Sequence, residues 1–220
     1  MLYTGVRALA HFLFWLFTEM EVEGFEHIPE RGPALLVGNH VNIMDPVVPI
    51  AALRRRVTFM AKEEALEWPI LGWLMRGIQV VPVARGKIAA RRALRQGEEL
   101  LRKGWLFCMY PEGTRSHQPG MGPGRDGAAL LAMRTGVPIL PIAVTGTHLV
   151  LPDGCRFPRR GPISFRIGEP FQVPRVTGRI ERKAMEDLTE VIMRRIAALL
   201  PPEYRGVYAG REAVFAEAVD

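Results

Sequence analysis

In the stretch GNHVNIMDP, residues 38–46, His40 and Asp45 stand five positions apart, shortly after the apolar run Ala34 to Val37. A carboxylate that folds back onto an imidazole holds one ring tautomer. It also stabilises the imidazolium formed when the other nitrogen takes a proton. His40 and Asp45 are therefore the candidate catalytic pair. Asp45 followed by Pro46 is also expected to cap the following helix, with proline at the first helical position, a role an anionic carboxylate can combine with facing His40; spacing alone does not establish the dyad. A base also needs a hydroxyl to activate. No Gly-x-Ser-x-Gly elbow occurs and neither Cys108 nor Cys155 has motif context, so the activated hydroxyl belongs to a substrate and transfer is direct, without a covalent intermediate.

A second constellation, PEGTRS at residues 111–116, offers a carboxylate, a glycine, two hydroxyls and a guanidinium in six positions. The planar fork of Arg115 suits a phosphate, and Gly113 lets backbone amides approach one closely. Arg85, after another apolar run, makes a second grip. The competing reading is that Glu112 and Arg115 pair with each other or cap the loop.

Short apolar runs alternate with longer periodic ones. Strands are expected at 34–38, 57–61, 79–84, 105–110, 139–145 and 163–168, and helices at 46–54, 63–76, 87–103, 127–135 and 179–200. This alternation predicts an α/β fold: one domain with a central, largely parallel or mixed sheet flanked by helices. His40 with Asp45, Arg85, and PEGTRS each follow a predicted strand. Parallel strands carry their C-terminal ends to one edge, where ligands usually bind, so the three groups should converge there. In the helix after Arg85, Ala90, Ala93, Leu94, Gly97 and Leu101 form one face, with Lys87, Arg91, Arg92, Arg95, Arg102 and Lys103 on others. That basic surface reads first as solvated, with a membrane or an acyl carrier as a second use.

The first eighteen residues, MLYTGVRALAHFLFWLFT, are strongly apolar and run into EVEGFE without a small-residue cleavage site, so they are read as retained. As a helix they would be about 25 Å long at ~1.5 Å per residue, short of the ~30 Å bilayer core. Thr4, Arg7, His11 and Thr18 fall on one polar stripe, the pattern of an amphipathic helix lying in a membrane interface. A core helix packed on the domain needs the same broad apolar face. The division expected is residues 1–20 as a membrane-associating helix and 21–220 as the catalytic domain.

The 29 Lys and Arg against 23 Asp and Glu leave a net charge of +6, favouring anionic partners. Two cysteines without a disulfide framework point to a reducing compartment. GPGRDG at 122–127 satisfies GxGxxG formally but comes after a polar loop instead of a strand, so it reads as a flexible loop leading into a helix. The histidines at 11, 27, 40, 117 and 148 have no metal-ligand spacing, and no metal is expected. Basicity alone, without a recognition motif, does not make a nucleic-acid binder.

Taken together and in this order, NHVNIMD, VVPVARG, YPEGTRS and VPILPIAV resemble the four motifs of the 1-acylglycerol-3-phosphate acyltransferase family over about residues 20–170. The resemblance implies transfer of a fatty acyl group from a thioester, on coenzyme A or acyl carrier protein, to the free hydroxyl of 1-acylglycerol-3-phosphate, giving phosphatidate in phospholipid biosynthesis. It matches His40 to the family's general base and Asp45 to its support. Arg85, Glu112, Gly113, Thr114 and Arg115 match residues associated with binding the glycerol phosphate, and Val137 to Pro141 match the fourth motif. It further implies an enzyme at the cytoplasmic face of the membrane that needs no cofactor. The family commonly has glycine at the position of Gln79, an acidic residue at Ala84, phenylalanine at Tyr110 and serine at Asn42. These departures leave the reaction class alone and bear on the acceptor. The remaining readings are an acyltransferase for another lysophospholipid, a thioesterase-like hydrolase, and a non-catalytic lipid-binding module. Trp68, Leu71, Trp73 and Leu74 are candidates for the wall of an acyl tunnel or for core, with core preferred.

Overall fold

The computed structural model describes residues 2–84, 86–116, 120–155 and 157–210; Arg85 and His117 lie outside the described residues. In chain order the elements are α1 (Leu2–Phe17), β1 (Thr18–Glu23), β2 (Ala34–Gly38), α2 (Val47–Ala52), β3 (Val57–Lys62), α3 (Pro69–Gly77), β4 (Val81–Val83), α4 (Lys87–Arg102), β5 (Leu106–Met109), α5 (Gly127–Thr135), β6 (Ile139–Thr145), α6 (Thr147–Val150), β7 (Gly161–Ile167) and α7 (Arg182–Leu199). The strands form one sheet in the order β1-β7-β6-β2-β5-β3-β4.

Strands β2 to β6 are mutually parallel, whereas β7 runs antiparallel to β6, and β1 pairs in parallel with β7. The central strands β2, β5 and β6 are almost wholly apolar because helices cover both faces: Leu35, Leu36, Leu106, Phe107, Ile139 and Leu140 are fully buried. Right-handed crossovers place α2 and α3 on one face and α4 and α5 on the other. The packing agrees, since α1 contacts α2 and α3, while α5 contacts α4 and α7. The expected α/β architecture is the observed one, with the sheet mixed.

Strand β1 has no counterpart among the predicted strands. Its sequence TEMEVE alternates, with Thr18 buried, Met20 and Val22 half-buried, and Glu19 and Glu23 exposed, so one face of this edge strand rests on the core. Trp68 and Trp73 overturn the expectation of core: they are 60% and 54% exposed on the outer side of α3. Ala90 also departs from the predicted buried face of α4, while Ala93, Leu94, Gly97 and Leu101 keep to it.

Gln79 is the sole non-glycine residue at positive φ among the described residues, at +56°. The left-handed conformation costs an L-residue about 1–2 kcal/mol, which accounts for a glycine at this position in the family resembled. Because the Gln79 side chain is exposed, Gln79→Gly is expected to stabilise the fold by about 1 kcal/mol after the entropy of the added glycine. Thermal unfolding would show a midpoint higher by about 2–4 °C for a chain of this size. A lowered midpoint would mean that the glutamine side chain contributes a contact worth more than the backbone strain.

Candidate active site

The parallel register brings the ends of β2, β5 and β6 to one edge: Val37 pairs with both Met109 and Pro141, so the segments following Gly38, Met109 and Thr145 emerge side by side. His40 leaves the end of β2 and PEGTRS leaves the end of β5. The predicted convergence of these two constellations is observed; the third, Arg85, lies outside the described residues.

His40 is held at its ring and at its backbone. Its Nδ1 lies 3.1 Å from Asp45 Oδ2, its ring stacks on Tyr110 at 4.5 Å between centroids, and its backbone N–H donates to Glu112 Oε1 at 2.9 Å. Asp45 is fully buried, while the His40 side chain keeps 17% of its exposure. With Nδ1 committed to the carboxylate, Nε2 is the nitrogen left to receive a proton from a bound molecule.

The expectation that Asp45 caps the following helix is corrected. α2 starts at Val47 with Pro46 at its cap position and no side-chain cap bond. The Asp45 carboxylate instead turns back. Its Oδ2 accepts the backbone N–H groups of Val41 and Asn42, each at 2.7 Å, together with His40 Nδ1, and its Oδ1 accepts the Thr147 hydroxyl at 2.5 Å. Asn42 stiffens the same turn, its Oδ1 accepting the Met44 N–H at 2.9 Å and its Nδ2 donating to the Leu151 carbonyl at 2.8 Å. The turn that carries His40 is thus wound around a buried carboxylate.

In PEGTRS the four site residues divide between inside and outside. Glu112 is buried, and its second oxygen accepts the Gly122 N–H at 2.9 Å, so it joins the His40 turn to the loop after PEGTRS. Burial raises the Glu112 carboxyl above the ordinary range, and its bonds from Gly122 and His40 pull it back. Gly113, at φ +70°, makes the turn that a side chain would disfavour. Gly113 and Thr114 are exposed, and Arg115 is half-buried, pairing with Asp153 at 3.3 Å. Glu112 and Arg115 therefore do not pair with each other. An exposed ion pair of this kind holds its arginine weakly, on the order of 0–1 kcal/mol, so the guanidinium can exchange Asp153 for a phosphate.

Two cations at the same edge escaped the sequence reading. Lys62, exposed, ends β3, and Arg125 lays its side chain against Gly113, where a Cβ would come within 2.9 Å of Arg125 Cδ. GPGRDG, expected to be flexible, is anchored: Gly122 bonds Glu112, Gly124 donates to the Tyr208 hydroxyl at 3.2 Å, the Arg125 backbone N–H donates to the Pro111 carbonyl at 2.8 Å, and Asp126 accepts from Thr189 at 3.1 Å. The signal available for both was position, a basic residue at a strand end and another after the PEGTRS loop.

Behind the site, burial pushes the Cys108 thiol up to about 12 and the Tyr110 hydroxyl well above its ordinary value. Neither is a nucleophile at neutral pH. Cys155 is exposed. No three His, Cys, Asp or Glu side chains gather into a metal-binding group among the described residues.

Residues 19–145, which hold β2 to β6 with the His40 turn and PEGTRS, match the model of the acyltransferase family. The chloroplastic 1-acyl-sn-glycerol-3-phosphate acyltransferase of Brassica napus is 33% identical over 140 residues, 63% of this chain and 40% of that protein. The 1-acyl-sn-glycerol-3-phosphate acyltransferase of Pseudomonas aeruginosa is 32% identical over 125 residues, 56% of this chain and 48% of that protein. The match thus spans less than half the length of these relatives. Among solved structures, the 1-acyl-sn-glycerophosphate acyltransferase of Thermotoga maritima is similar at a TM-score of 0.69 and 29% identity, covering 86% of this chain and 76% of that one.

Proposed function

The chain belongs to the acyltransferase family, and from that premise we propose that it transfers a fatty acyl group from a thioester of coenzyme A or acyl carrier protein to the free hydroxyl of 1-acylglycerol-3-phosphate, giving phosphatidate. The observation that carries the proposal is the contact of His40 Nδ1 with the buried Asp45 carboxylate at 3.1 Å, at the sheet edge where the PEGTRS loop also emerges. The names of the relatives from Brassica napus and Pseudomonas aeruginosa supply the substrate class.

In this reading His40 Nε2 removes the proton of the acceptor hydroxyl while Asp45 stabilises the positive charge that the ring gains. The oxygen attacks the thioester carbonyl, an ester bond forms, the carbon–sulfur bond breaks, and the departing thiolate takes the proton back from His40. No nucleophilic side chain is needed, in keeping with the high Cys108 thiol. Arg115, with the backbone at Gly113 and Thr114, holds the acceptor phosphate, and Lys62 and Arg125 add positive charge at the same edge. Arg85 joins them by family resemblance. Their contribution is to keep the hydroxyl beside His40. Glu112 acts from inside, as a brace for the backbone of the base.

The test supplies a long-chain acyl thioester and lysophosphatidate in micelles and tracks thiol and lipid product together. Thiol release with phosphatidate supports transfer. Thiol with free fatty acid makes the protein a hydrolase, and neither product leaves only lipid binding.

The acceptor is a lipid, and α1 supports a position at the membrane interface. Tyr3, Ala10 and Phe14 are the buried residues of this helix, and its polar stripe flanks them: Arg7 Nη1 donates to the Leu53 carbonyl at 3.3 Å, and the exposed His11 places Nδ1 3.3 Å from the Ala51 carbonyl, both at the C-terminal end of α2. Outward stand Leu9, Phe12, Leu13, Leu16 and Trp15, the last 70% exposed. Trp68, Ile70 and Trp73 extend apolar surface on the same face of the sheet. α1 ends where β1 begins, and Thr18 of β1 pairs with Gly161 at the edge that carries the site. Among the described residues no helix is long and apolar enough to cross a membrane. The exposed apolar side chains of α1 support the reading in which it lies along the membrane surface, proposed to be the cytoplasmic face, with the catalytic domain beside it. Trp15→Glu combined with Leu16→Glu is expected to weaken sedimentation with phospholipid vesicles by at least about tenfold, from the loss of ~1.5–3 kcal/mol per buried side chain. Unchanged sedimentation by a folded variant would reject this orientation.

A further inference from the structure

The carboxylate that supports His40 has a partner from a distant part of the chain. Thr147 donates its hydroxyl to Asp45 Oδ1 at 2.5 Å across 102 positions of sequence, and the two residues are 1% and 0% exposed. Thr147 lies beyond the residues matched to the family, which end at 145. It opens α6, directly after β6, a central strand that pairs with β2, so its hydroxyl is mounted on the sheet next to the strand that carries the His40 turn.

The mounting requires a particular backbone. Gly146 stands at φ +86°, and a Cβ there would come within 2.1 Å of the Pro162 carbonyl oxygen. Its N–H points to the Tyr204 hydroxyl at 3.4 Å, which ties the turn to the segment following α7. The tight turn delivers Thr147 to the Asp45 carboxylate.

Turning the Asp45 carboxylate about its bond to Cβ moves both oxygens, so donors on each oxygen together resist the turn. Oδ2 is shared by His40, Val41 and Asn42, and Oδ1 is held by Thr147, through a bond of the short length typical of a hydroxyl donating to an anion. We propose that Thr147 is a positioning residue for acyl transfer, fixing the plane of the Asp45 carboxylate so that Oδ2 keeps His40 Nδ1 and aims Nε2 at the acceptor hydroxyl. The proposal rests on the reading of His40 as the base.

Thr147→Val removes the hydroxyl and keeps the shape, whereas Thr147→Ser keeps the hydroxyl. Thr147→Val is expected to lower kcat by about ten- to a hundredfold, the scale of losing an orienting hydrogen bond to a charged group. The lysophosphatidate KM should stay within about twofold, because Thr147 does not touch the acceptor. Thr147→Ser should recover kcat to within about threefold of the unaltered protein. The serine variant keeps the question open to test even where the valine variant folds poorly, with thermal unfolding recorded for each. Normal kcat in a folded Thr147→Val protein overturns the proposal. So does an equal loss in Thr147→Ser, or a loss confined to KM. His40→Ala measured alongside separates the two readings: an inert His40→Ala with a normal Thr147→Val removes only the role of Thr147, whereas a normal His40→Ala removes the base and Thr147 with it.

Discussion

Replacing His40 by alanine is expected to lower turnover by roughly 10²- to 10⁴-fold, the range for loss of a general base, while the protein remains folded. The second half of the expectation comes from the bonds left behind. Without the imidazole, Asp45 still accepts from Val41, Asn42 and Thr147, so no buried carboxylate is abandoned, and the His40 backbone N–H still reaches Glu112. The ring itself is partly exposed and stacks on Tyr110. Rate, not structure, should carry the loss. Thiol release at saturating thioester and lysophosphatidate measures it, with thermal unfolding as the control. Near-normal turnover by a folded His40→Ala protein would remove His40 from the chemistry.

The parts of this site that sequence made visible are those set by local pattern. Ala34–Gly38 and Ile139–Thr145 announce themselves as unbroken apolar runs because both faces of these strands are covered. The α/β alternation then places the turns that leave their C-terminal ends at a common edge. Thr18–Glu23 stayed hidden for the opposite reason: an edge strand buried on one face needs apolar character only at alternate positions, and its glutamates read as a charged connector. The N-terminal helix displayed its polar stripe, but not that Arg7 and His11 would spend their hydrogen bonds on α2.

Tertiary contact decided the rest. Asp45-Pro46 carries the local signature of a helix cap, yet four donors converge on that carboxylate from the other direction, three of them in the preceding turn. Glu112 and Arg115 are three positions apart in one loop, and no periodicity separates the buried brace from the surface cation. Thr147 could not be found by spacing at all. Its partner lies on a different motif, and only the adjacency of β2 and β6 brings them together. The residues that touch substrate in the proposed reaction were therefore more legible than the ones that aim them.

Asp45→Asn separates the two duties of the buried carboxylate. Asparagine has the same shape, and with its oxygen turned toward His40, Val41 and Asn42 it can keep those three donors. Its amide then faces Thr147, whose hydroxyl can reverse and accept. The turn is expected to survive at a cost of about 1–3 kcal/mol, for exchanging charge-assisted hydrogen bonds for neutral ones. The one property asparagine lacks is negative charge beside an imidazolium. Turnover should accordingly fall by roughly 10²- to 10⁴-fold, comparable with loss of the base itself. Because the carboxylate works only through His40, adding Asp45→Asn to His40→Ala should lower turnover by no more than about threefold further, as expected for groups that act as one unit. Turnover of Asp45→Asn within about threefold of the unaltered protein would reduce Asp45 to a backbone brace. Full additivity in the double variant would mean that Asp45 serves the reaction by some route other than His40.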